Sequence, residues 1–382
     1  MSLKAIVVGG GVGGLTAAIA LRQAGIDTVV FERAAQLRPV GAGLHLWTNA
    51  FLALQQIGLA EAVAATGTVV ERSQYLTAEG RLLAEWKTGE LGRRLGAPTV
   101  GVTRADLHRE LMAALGKDST IAAAEFTGFA QDGSGVTVRF RDGREERCDL
   151  LIGADGVRSA VRAQLLGSAE PRYAGYSAWR AITAFEHPAL PRGNFALYWG
   201  RGARLICYRV GGGLMYWLAL WRAPAGGRDP EGGRRAAALA RYRHFAAPVP
   251  ALIEATDEAA IVRTDIVDRA PISRWGEGRV TLLGDAAHPM TPNQAQGACQ
   301  AIEDGVSLAR CVREAAEVPA ALRDYEGRRR ARAAYFVRLS RFSGWWGSWE
   351  SPAACAVRDA ILGPMMRGPA LWSFSRDIAH RA

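Results

Sequence analysis

A strand, a glycine-rich turn, a helix and a second strand open the chain, in the segment KAIVVGGGVGGLTAAIALRQAGIDTVVFERA. Gly9, Gly11 and Gly14 fit the pattern G-x-G-x-x-G between a buried-type strand at 5–8 and an apolar helix at 15–23. The first glycine permits a sharp turn, the second lets a pyrophosphate approach the backbone, and the third brings helix and strand together. Because the helix N-terminus also offers N–H donors to an anion, the segment predicts a dinucleotide-binding βαβ unit.

The second predicted strand, 28–31, ends in Glu32. An acidic residue at this distance from the glycines can accept hydrogen bonds from ribose hydroxyls. Arg33 follows, and its guanidinium could either stack on adenine or remain solvated on the surface. The fingerprint alone does not separate FAD from NAD, and a purely structural glycine turn is the alternative. Since only one such fingerprint is present, any nicotinamide nucleotide is expected to bind transiently elsewhere.

The charge of the chain favours anionic ligands over nucleic acid. The 382 residues carry a formal net charge of +10, which attracts phosphates and carboxylates. Acidic residues are interspersed with the basic ones and no long basic tail is present, so we expect no nucleic-acid partner. The length suffices for two ordinary domains or one composite domain, and a monomer or a homodimer would both be compatible with the sequence.

The cysteines and histidines indicate neither a disulfide framework nor a metal site. Five cysteines are scattered without a CxxC pair, as expected for reduced thiols inside the cell. Six histidines are dispersed without ligand spacing, so no metal is predicted. The sequence shows no cationic leader and no uncharged apolar run of membrane-spanning length. We therefore expect a cytoplasmic protein without stable membrane association.

The middle of the chain changes from helix–strand units to strands. A hairpin is predicted at 69–86, and a helix at 103–115 with Thr103 or Asp106 as its N-cap. The runs 120–130, 135–140 and 145–152 are predicted to form one meander. The last of them leads into LLIGADGVRSAVR, in which Asp155 and Gly156 indicate a ligand-facing turn or, alternatively, a simple helix cap.

Residues 171–269 are rich in aromatic strand formers. Four runs, YAGYSAWRAITAF, NFALYWG, RLICYRV and LMYWLALW, predict an antiparallel sheet that forms one wall of a pocket. Helices are predicted at 236–245 and 249–255. The segment RVTLLGDAAHPM then returns to the strand-to-loop style of the nucleotide domain. Three further helices are expected in the remaining part, at 297–315, 320–340 and 352–362.

Three segments together resemble the single-component FAD-dependent aromatic hydroxylases, the p-hydroxybenzoate hydroxylase-like flavin monooxygenases. They are GGGVGG…FER, DLLIGADGVRSAVR and RVTLLGDAAHPMTPNQAQGACQAIEDG, and the resemblance covers residues 4–340. It implies an α/β fold in which a Rossmann-like FAD-binding domain is interrupted by a mixed or antiparallel β-sheet substrate domain, with C-terminal helices. The implied domains are the FAD-binding domain at 1–68, 97–170 and 270–340, the substrate domain at 69–96 and 171–269, and a helical segment at 341–382.

The resemblance also implies which residues hold FAD in the N-terminal half. The turn from Gly9 to Gly14, with Gly11, Val12 and Gly13, would face the pyrophosphate, and Glu32 the adenosine ribose. In PVGAGLHL, Gly41 and Gly43 would let the backbone approach the flavin ring. Further contacts implied in this half are Arg104 at the phosphate or ribityl region, the Phe126 backbone near adenine, and Asp155 and Gly156 toward both FAD and NAD(P)H.

In the C-terminal half the resemblance places Asp285 at the ribityl hydroxyls and Pro292 beside the flavin ring. Gly297 and Ala298 would offer N–H groups toward the N1–C2=O end of the ring. A helix N-terminus stabilises negative charge there by on the order of 1 kcal/mol. The same segment has Ala295 where the family has a glycine, and alanine adopts positive φ only at a cost. We therefore expect this turn to be shaped differently.

The chemistry implied is hydroxylation of a small aromatic or heteroaromatic substrate. NAD(P)H would reduce FAD, O2 would be captured as a C4a-hydroperoxide, and its distal OH would pass to an electron-rich ring. The protein must then orient the substrate and exclude water. Other flavin chemistry remains open, namely epoxidation, Baeyer–Villiger oxidation, antibiotic modification or flavin reduction, as does a non-catalytic FAD-binding protein.

Four residues are candidates for catalysis or substrate contact. Arg204 and Tyr216 occupy strand positions similar to those of the urate-type enzymes, where an arginine could orient an anionic ring and a tyrosine could donate a hydrogen bond. His45 could be a base, a substrate contact or a structural residue. Asn293 stands where the urate-type enzymes carry an aspartate, and since an amide cannot act as a general base, urate itself is disfavoured.

Five other side chains are expected to be mainly structural. His288 lies in the Gly-Asp-Ala-Ala-His run, where a structural role is the favoured interpretation. Trp345, Trp346, Trp349 and Trp372 could close the pocket, although capping of the core is favoured for them.

Overall fold

The computed structural model describes residues 3–35, 42–116, 119–229 and 231–382. Its strands are β1 Lys4–Val8, β2 Asp27–Phe31, β3 Gly43–Leu46, β4 Thr68–Val69, β5 Arg72–Thr77, β6 Leu82–Trp86, β7 Val100–Thr103, β8 Thr120–Ile121, β9 Phe126–Gln131, β10 Val136–Phe140, β11 Glu145–Cys148, β12 Leu150–Gly153, β13 Arg172–Ala184, β14 Asn194–Trp199, β15 Ala203–Arg209, β16 Leu214–Arg222, β17 Val262–Asp268 and β18 Val280–Leu282. Its α-helices are α1 Val12–Gln23, α2 Thr48–Gln56, α3 Ala60–Ala65, α4 Thr88–Leu95, α5 Arg104–Leu115, α6 Ala160–Leu166, α7 Arg234–Tyr242, α8 Pro248–Glu254, α9 Gly297–Glu314, α10 Val318–Gly347, α11 Pro352–Arg367 and α12 Pro369–Ile378.

A five-stranded parallel sheet in the order β18-β12-β1-β2-β8 carries the predicted βαβ unit. Strand β1 pairs with both β2 and β12, and Ala5 lies opposite Thr28 on one side and Leu150 on the other. Most of β1 is buried, as expected for a central parallel strand covered on both faces. Helix α1 packs against α9, and Gly305 allows the close approach because a Cβ there would meet the Ala17 backbone.

The meander predicted from 120–152 is correct only in its middle. Strands β9, β10 and β11 form a three-stranded antiparallel sheet. However, β8 and β12, at the two ends of the predicted range, belong to the parallel sheet. The chain turns at Ala123, which has φ of 56°, between β8 and β9. Between β11 and β12, Asp149 accepts a hydrogen bond from the Lys4 backbone N–H at 2.7 Å, which ties the chain to β1.

The aromatic runs form a seven-stranded mixed sheet in the order β17-β13-β16-β15-β14-β5-β6. The four runs pair antiparallel as predicted, and the β14–β5 pair is parallel. Side chains alternate along β16, because Trp217 packs on the core under α7 and α8 whereas Tyr216 and Leu218 face a cavity. Helices α7 and α8 confirm the two predicted helices with shifted ends.

The C-terminal part is helical, with longer elements than predicted. Helix α10 continues through residue 340 to Gly347, and α11 extends to Arg367. Helix α12 was not predicted. Helix α11 packs on β6, where Gly363 lies so close to the strand that a Cβ would approach the Leu83 carbonyl. None of the helices within the described ranges combines the length and the apolar character needed to cross a bilayer.

Candidate active site

A cavity of about 640 Å³ lies between the glycine-rich turn, the mixed sheet and the C-terminal helices. All four candidate catalytic residues, His45, Arg204, Tyr216 and Asn293, line it. The residues predicted to contact FAD that also line it are Gly11, Val12, Gly13, Gly43, Arg104, Gly156, Asp285, Pro292, Gly297 and Ala298. The fold therefore brings together segments that are almost 300 residues apart in the sequence.

The glycine-rich turn has the geometry expected of its three glycines. Gly9 has φ of 112°, and a Cβ there would lie 2.4 Å from the Ala154 carbonyl oxygen and 2.6 Å from the Ala154 carbonyl carbon. A Cβ on Gly14 would overlap the Gly9 carbonyl oxygen, so this glycine keeps α1 close to β1. A Cβ on Gly11 would meet nothing within 4 Å, and this glycine lines the cavity. The backbone of the turn is thus open to a ligand where the second glycine stands.

The acidic residue that ends β2 is held beside this turn. Glu32 accepts hydrogen bonds from the Gly10 N–H at 2.8 Å and from the Ala34 N–H at 2.9 Å, one on each carboxylate oxygen. Its carboxylate therefore also orders the turn. The Arg33 side chain is exposed, as in the solvated alternative. Gly41 lies outside the described residues.

The segment after β18 supplies a carboxylate and a helix start to the cavity. Asp285 lines the cavity and its side chain is exposed there. Loss of hydration from the surrounding protein raises the pKa of its carboxyl above the ordinary value, although His288 and Arg104 oppose this rise. Helix α9 begins at Gly297, so the backbone N–H groups of its first turn have no partner within the helix. Gly43 lies so close to the ring of Tyr216 that a Cβ on this glycine would overlap the ring. Backbone and carboxylate donors and acceptors thus converge on one part of the cavity.

Asp155 and Phe126 are placed differently from the residues above. One Asp155 carboxylate oxygen accepts hydrogen bonds from the Ala160 and Val161 N–H groups, so it caps the start of α6. The other oxygen is buried without a partner among the described residues. Gly156 has φ of 83° and lines the cavity. Phe126 is buried on β9 beside Phe129 and is not part of the cavity wall.

The turn before α9 is left-handed although it lacks the family's glycine. Ala295 has φ of 51° and ψ of 31°. The expectation of a different turn shape was therefore wrong: the alanine adopts the conformation that a glycine would favour. An L-residue in this region costs roughly 1–2 kcal/mol. The Trp47 indole N–H donates to the neighbouring Gln294 carbonyl at 3.0 Å, and the Ala295 N–H donates to the Pro292 carbonyl at 3.1 Å, which hold the turn.

His45 is a buried, neutral imidazole in the cavity wall. It is 4% exposed, and neither ring nitrogen has a hydrogen-bond partner among the described residues. Burial lowers its pKa to about 3. The ring packs edge-on against Trp47, Phe195 and Tyr208. A group with this pKa is a poor base at neutral pH, but its nitrogens can accept or donate a hydrogen bond to a ligand.

Arg204 and Asn293 are already engaged with α10. The Arg204 guanidinium donates to the Ser343 carbonyl at 2.9 Å and lies over the ring of Tyr176. The Asn293 amide nitrogen lies 2.7 Å from the Tyr176 hydroxyl and 2.8 Å from the Ser340 carbonyl. Both side chains therefore fasten α10 to the sheet and the loop as well as lining the cavity.

Tyr216 and Arg180 face the cavity from neighbouring strands. Burial raises the pKa of the Tyr216 hydroxyl to about 12, so it stays protonated and can donate a hydrogen bond. Arg180 on β13 was missed in the sequence, and its Nε is buried without a partner among the described residues. The alternation of β13 around this arginine was the signal that could have revealed it, since every second residue of a strand faces the same side.

The C-terminal helices also contribute to the cavity wall, and no local sequence pattern indicated most of these residues. Trp346 lines the cavity, as the pocket-closing interpretation proposed, whereas Trp345 and Trp372 are 59% and 64% exposed. Among the wall residues that were not predicted are Trp47, Tyr75, Trp86, Phe195, Leu197, Leu362, Met365, Met366 and Phe374. They come from five separate elements and the residue before α2, so no local pattern marks them.

His288 has the structural environment that the sequence favoured. It is buried, and its Nε2 lies 2.6 Å from an Asp304 carboxylate oxygen. Asp304 also accepts a hydrogen bond from the Gly284 N–H at 3.0 Å. This contact holds the backbone immediately before Asp285.

These features fit FAD. The turn at Gly11 is open where a pyrophosphate would lie, Asp285 lines the cavity with its carboxylate, and α9 starts at the cavity wall. Together they offer an anion site, an acceptor for ribityl hydroxyls and N–H donors for the electron-rich edge of a flavin.

Comparison with known proteins agrees with this fit. A family model described as "FAD binding domain" matches residues 2–340. An aurachin C monooxygenase/isomerase of Stigmatella aurantiaca is 44% identical over 363 residues, covering 95% of this chain and 94% of that protein. An FAD-dependent urate hydroxylase of Klebsiella pneumoniae is 36% identical over 341 residues, covering 89% of each.

The fold is also shared with a solved relative. The crystal structure of Klebsiella pneumoniae HpxO complexed with FAD and uric acid superimposes with a TM-score of 0.93 at 32% identity, covering 98% of this chain and 96% of that one. The molecule is therefore a flavoprotein with the p-hydroxybenzoate hydroxylase-like fold. The chain belongs to the FAD-binding family of flavin monooxygenases, and it is an FAD-dependent enzyme of this class.

Proposed function

We propose that this monooxygenase uses NAD(P)H and O2 to hydroxylate a small aromatic or heteroaromatic ring. The observation that carries the proposal is that, in one and the same cavity, the residues suited to FAD adjoin an aromatic wall of the mixed sheet. One oxygen atom of O2 would enter the ring and the other would leave as water, with two electrons supplied by NAD(P)H. We also keep the division into an FAD-binding and a substrate domain at the predicted boundaries as part of this proposal.

The chain's own residues would hold and orient the reactants. The turn at Gly11 to Gly13 would bind the pyrophosphate of FAD, Asp285 its ribityl chain, and the Gly297 and Ala298 N–H groups its ring. When bound, FAD supplies the transfer of electrons from NAD(P)H and the activation of O2. The predicted contacts of Glu32, Arg33, Arg104, Phe126 and Asp155 belong to the same proposal.

Around the substrate, the proposal assigns separate tasks to two polar side chains. The protonated Tyr216 hydroxyl would donate a hydrogen bond to an oxygen or nitrogen of the ring. The neutral His45 would accept or donate one without bringing a charge into the apolar wall. The aromatic wall itself would exclude water from the reacting atoms. No side chain of the cavity then needs to change its charge during substrate binding.

A second candidate is epoxidation or oxygenation followed by rearrangement of the ring. It is favoured by the name of the 44% identical relative, which includes both a monooxygenase and an isomerase activity. Chloroplastic zeaxanthin epoxidases at 36% identity add a second reaction type among the relatives. Product structure separates the two candidates, because hydroxylation retains the aromatic ring and epoxidation interrupts it.

The test is a panel of phenols, hydroxyquinolines and purines on the FAD-loaded protein. We expect at least one compound to stimulate NAD(P)H oxidation and O2 consumption and to gain one oxygen atom by mass spectrometry. With ¹⁸O2 the product should gain the heavy isotope. A protein that binds FAD but oxidises no NAD(P)H with any member, or product oxygen that comes from water, would contradict the proposal.

The assignment of Asp285 has its own test. Replacing the carboxylate in Asp285→Ala removes the proposed acceptor for ribityl hydroxyls, and hydrogen bonds to a charged group contribute about 1.5–3 kcal/mol. We expect FAD to bind about 10- to 100-fold more weakly, as measured by titration of the apoprotein and flavin fluorescence. Asp27→Ala, at an exposed carboxylate on β2, is the matched control and should leave the affinity unchanged. Equal affinity of both variants would remove Asp285 from the site.

A further inference from the structure

An apolar part of the cavity wall comes from the chain beyond residue 340, where the family model ends. Helix α11 contributes Leu362, Met365 and Met366, and α12 contributes Phe374. Methionine side chains are flexible and adapt to irregular apolar surfaces. The part of the wall formed by these helices is therefore a surface for hydrocarbon.

The two indoles beside these helices, Trp86 and Trp47, have no free N–H donor. The Trp86 indole N–H donates to the Met366 carbonyl at 2.6 Å, and the Trp47 indole N–H donates to the Gln294 carbonyl at 3.0 Å. Phe374 packs against both indoles, with centroid distances of 4.7 Å to Trp47 and 5.5 Å to Trp86. Because both indole N–H groups are satisfied by protein carbonyls, neither needs a polar partner on the ligand.

A continuous row of rings connects this surface with the position proposed for the flavin. Tyr216, which touches Gly43, lies 5.2 Å from Tyr208 between ring centroids, and Tyr208 lies 5.3 Å from His45. His45 lies 4.4 Å from Trp47, which in turn contacts Phe374. The cavity wall thus runs from hydroxyl and imidazole groups to purely apolar side chains.

The polar and charged side chains Arg204, Asn293 and Arg180 do not add polar groups to the surface at α11 and α12. Arg204 is buried and donates to the Ser343 carbonyl, and Asn293 is bonded to Tyr176 and α10. Arg180 lies on β13, in the mixed sheet, and not on the C-terminal helices. A ligand that reaches α11 and α12 therefore meets apolar side chains there, with Ser373 as the polar exception.

We propose that the substrate carries an apolar substituent on its ring, a hydrocarbon chain or a further ring, which lies against α11 and α12 at Met365 and Phe374. This inference rests on the proposed function and narrows its substrate class. The polar ring would lie at Tyr216 and His45, and the substituent would follow the row of aromatic rings. The C-terminal helices are then a specificity element of this chain.

The test measures binding of phenol, 4-propylphenol and 4-heptylphenol to the FAD-loaded protein by calorimetry. Burial of a methylene contributes about 0.8 kcal/mol, so affinity should rise by about 4-fold for each methylene that reaches the apolar surface. In parallel, the flavin absorption spectrum should report the same order of affinities. Equal affinities along the series, or no binding of any member to protein that retains FAD, would overturn the proposal.

Two variants locate the effect on the C-terminal helices. Met365→Trp fills the apolar surface, and Phe374→Ala removes the ring that joins it to the indoles. We expect each to weaken 4-heptylphenol binding by about 10-fold or more while phenol binding changes by less than about 2-fold. Trp372→Ala on α12 is the matched control, because Trp372 is 64% exposed and does not line the cavity. A chain-length dependence that survives in both folded variants would overturn the assignment.

The outcomes also separate this inference from the proposed function. Protein that binds FAD and oxidises NAD(P)H with a phenol, but shows no dependence on chain length, refutes only the apolar substituent. Protein that binds 4-heptylphenol tightly without any oxidation of NAD(P)H refutes the proposed function and leaves the apolar surface in place.

Discussion

Two of the regions that bury ionisable side chains differ in whether their charged groups are paired. The first, the α9–α10 cluster, consists of His288, Glu303, Asp304, Arg329 and Arg332. The second is the cavity wall. In the cluster Arg329 lies 2.7 Å from Asp304, and Arg332 lies 2.7 Å from Glu303.

Pairing sets the charges of the cluster. Burial alone would raise the pKa of Glu303, but the neighbouring Arg329 and Arg332 lower it to about 2. The pKa of Asp304 is also lowered to about 2, because the charges of His288 and Arg329 outweigh the effect of burial. Both carboxylates are therefore ionised and satisfied within the protein.

In the cavity wall, by contrast, polar atoms are left without protein partners. The nitrogens of His45, the Nε of Arg180 and the indole Nε1 of Trp346 are buried and unpaired among the described residues. An unsatisfied buried polar group costs about 1–3 kcal/mol, which a bound ligand can offset. The comparison teaches that burial of charge does not by itself mark a functional site, whereas the absence of a partner at a cavity does.

We expect the largest loss of stability when the α9–α10 cluster loses one of its charged groups. Arg329→Met leaves Glu303 and Asp304 buried with less compensation, and removal of one partner of a buried ion pair typically costs about 3–5 kcal/mol. We expect a loss of this size in the free energy of unfolding, measured by urea denaturation at pH 7. Since Asp304 also holds the Gly284 N–H beside Asp285, FAD should bind more weakly as well.

The matched control for this change is Arg338→Met. Arg338 is exposed on the same helix, so its replacement should change stability by less than about 0.5 kcal/mol. A similar small effect of Arg329→Met would show that the paired region does not depend on its central guanidinium.

The second-largest expected effect is a pH-dependent change in the free energy of unfolding that arises from the unpaired His45. Its folded-state pKa of about 3 is below the ordinary value of 6.5, so only the unfolded chain takes up a proton as the pH falls below 6.5. The contribution of the neutral His45 to the free energy of unfolding is therefore fully present above pH 6.5. It decreases toward pH 3 by up to about 1.4 kcal/mol per pH unit. Relative to His45→Phe, the FAD-saturated protein should lose about 2 kcal/mol between pH 7 and pH 5.

Urea denaturation at several pH values between 5 and 7 measures this difference. His244→Phe replaces an exposed histidine and should give the same pH dependence as the unmodified protein. If His45→Phe also leaves the pH dependence unchanged, the imidazole is protonated or paired in the folded state and the contrast with the cluster fails.

The smallest expected effect is a gain in stability when the strained backbone at Ala295, beside the cavity, is relieved. Ala295→Gly relieves a left-handed alanine, which costs roughly 1–2 kcal/mol, but adds backbone entropy to the unfolded chain. We expect a net gain in stability of up to about 1 kcal/mol, seen as a higher thermal midpoint.

Ala123→Gly is the matched variant for this prediction. Ala123 also has positive φ, but it lies in the exposed turn between β8 and β9. Both variants should be stabilised to a similar extent, and only Ala295→Gly should alter the affinity for FAD. A loss of stability in Ala295→Gly would mean that the alanine methyl group contributes packing that outweighs the strain.

Much of the FAD half could be predicted because its signals are local. The spacing of Gly9, Gly11 and Gly14 specifies a turn whatever the rest of the chain does, and the Thr103 side chain caps α5 with a hydrogen bond from the Asp106 N–H, as predicted. The aromatic runs likewise predicted their own strands, because alternation along a strand is a property of neighbouring residues.

The errors arose where distant segments compete for the same neighbours. Strands β8 and β12 had the pattern of the meander but pair with the parallel sheet, since pairing partners are chosen by tertiary packing. Ala295 kept a left-handed conformation because contacts across the chain, such as that from Trp47 to Gln294, hold the turn. The energetic cost of a positive φ for alanine therefore did not by itself determine the conformation of this turn.

The sequence by itself determined the family, the Rossmann-like unit and the residues that we propose to contact FAD, because each depends on short motifs with defined spacing. Only the tertiary structure decided that Arg204 is fastened to α10, that His45 is unpaired, and that Met365 and Phe374 line the cavity. The Trp86–Met366 contact joins residues 280 positions apart. The physical reason is that burial and hydrogen-bond partnership belong to the packed molecule, and no local pattern records them.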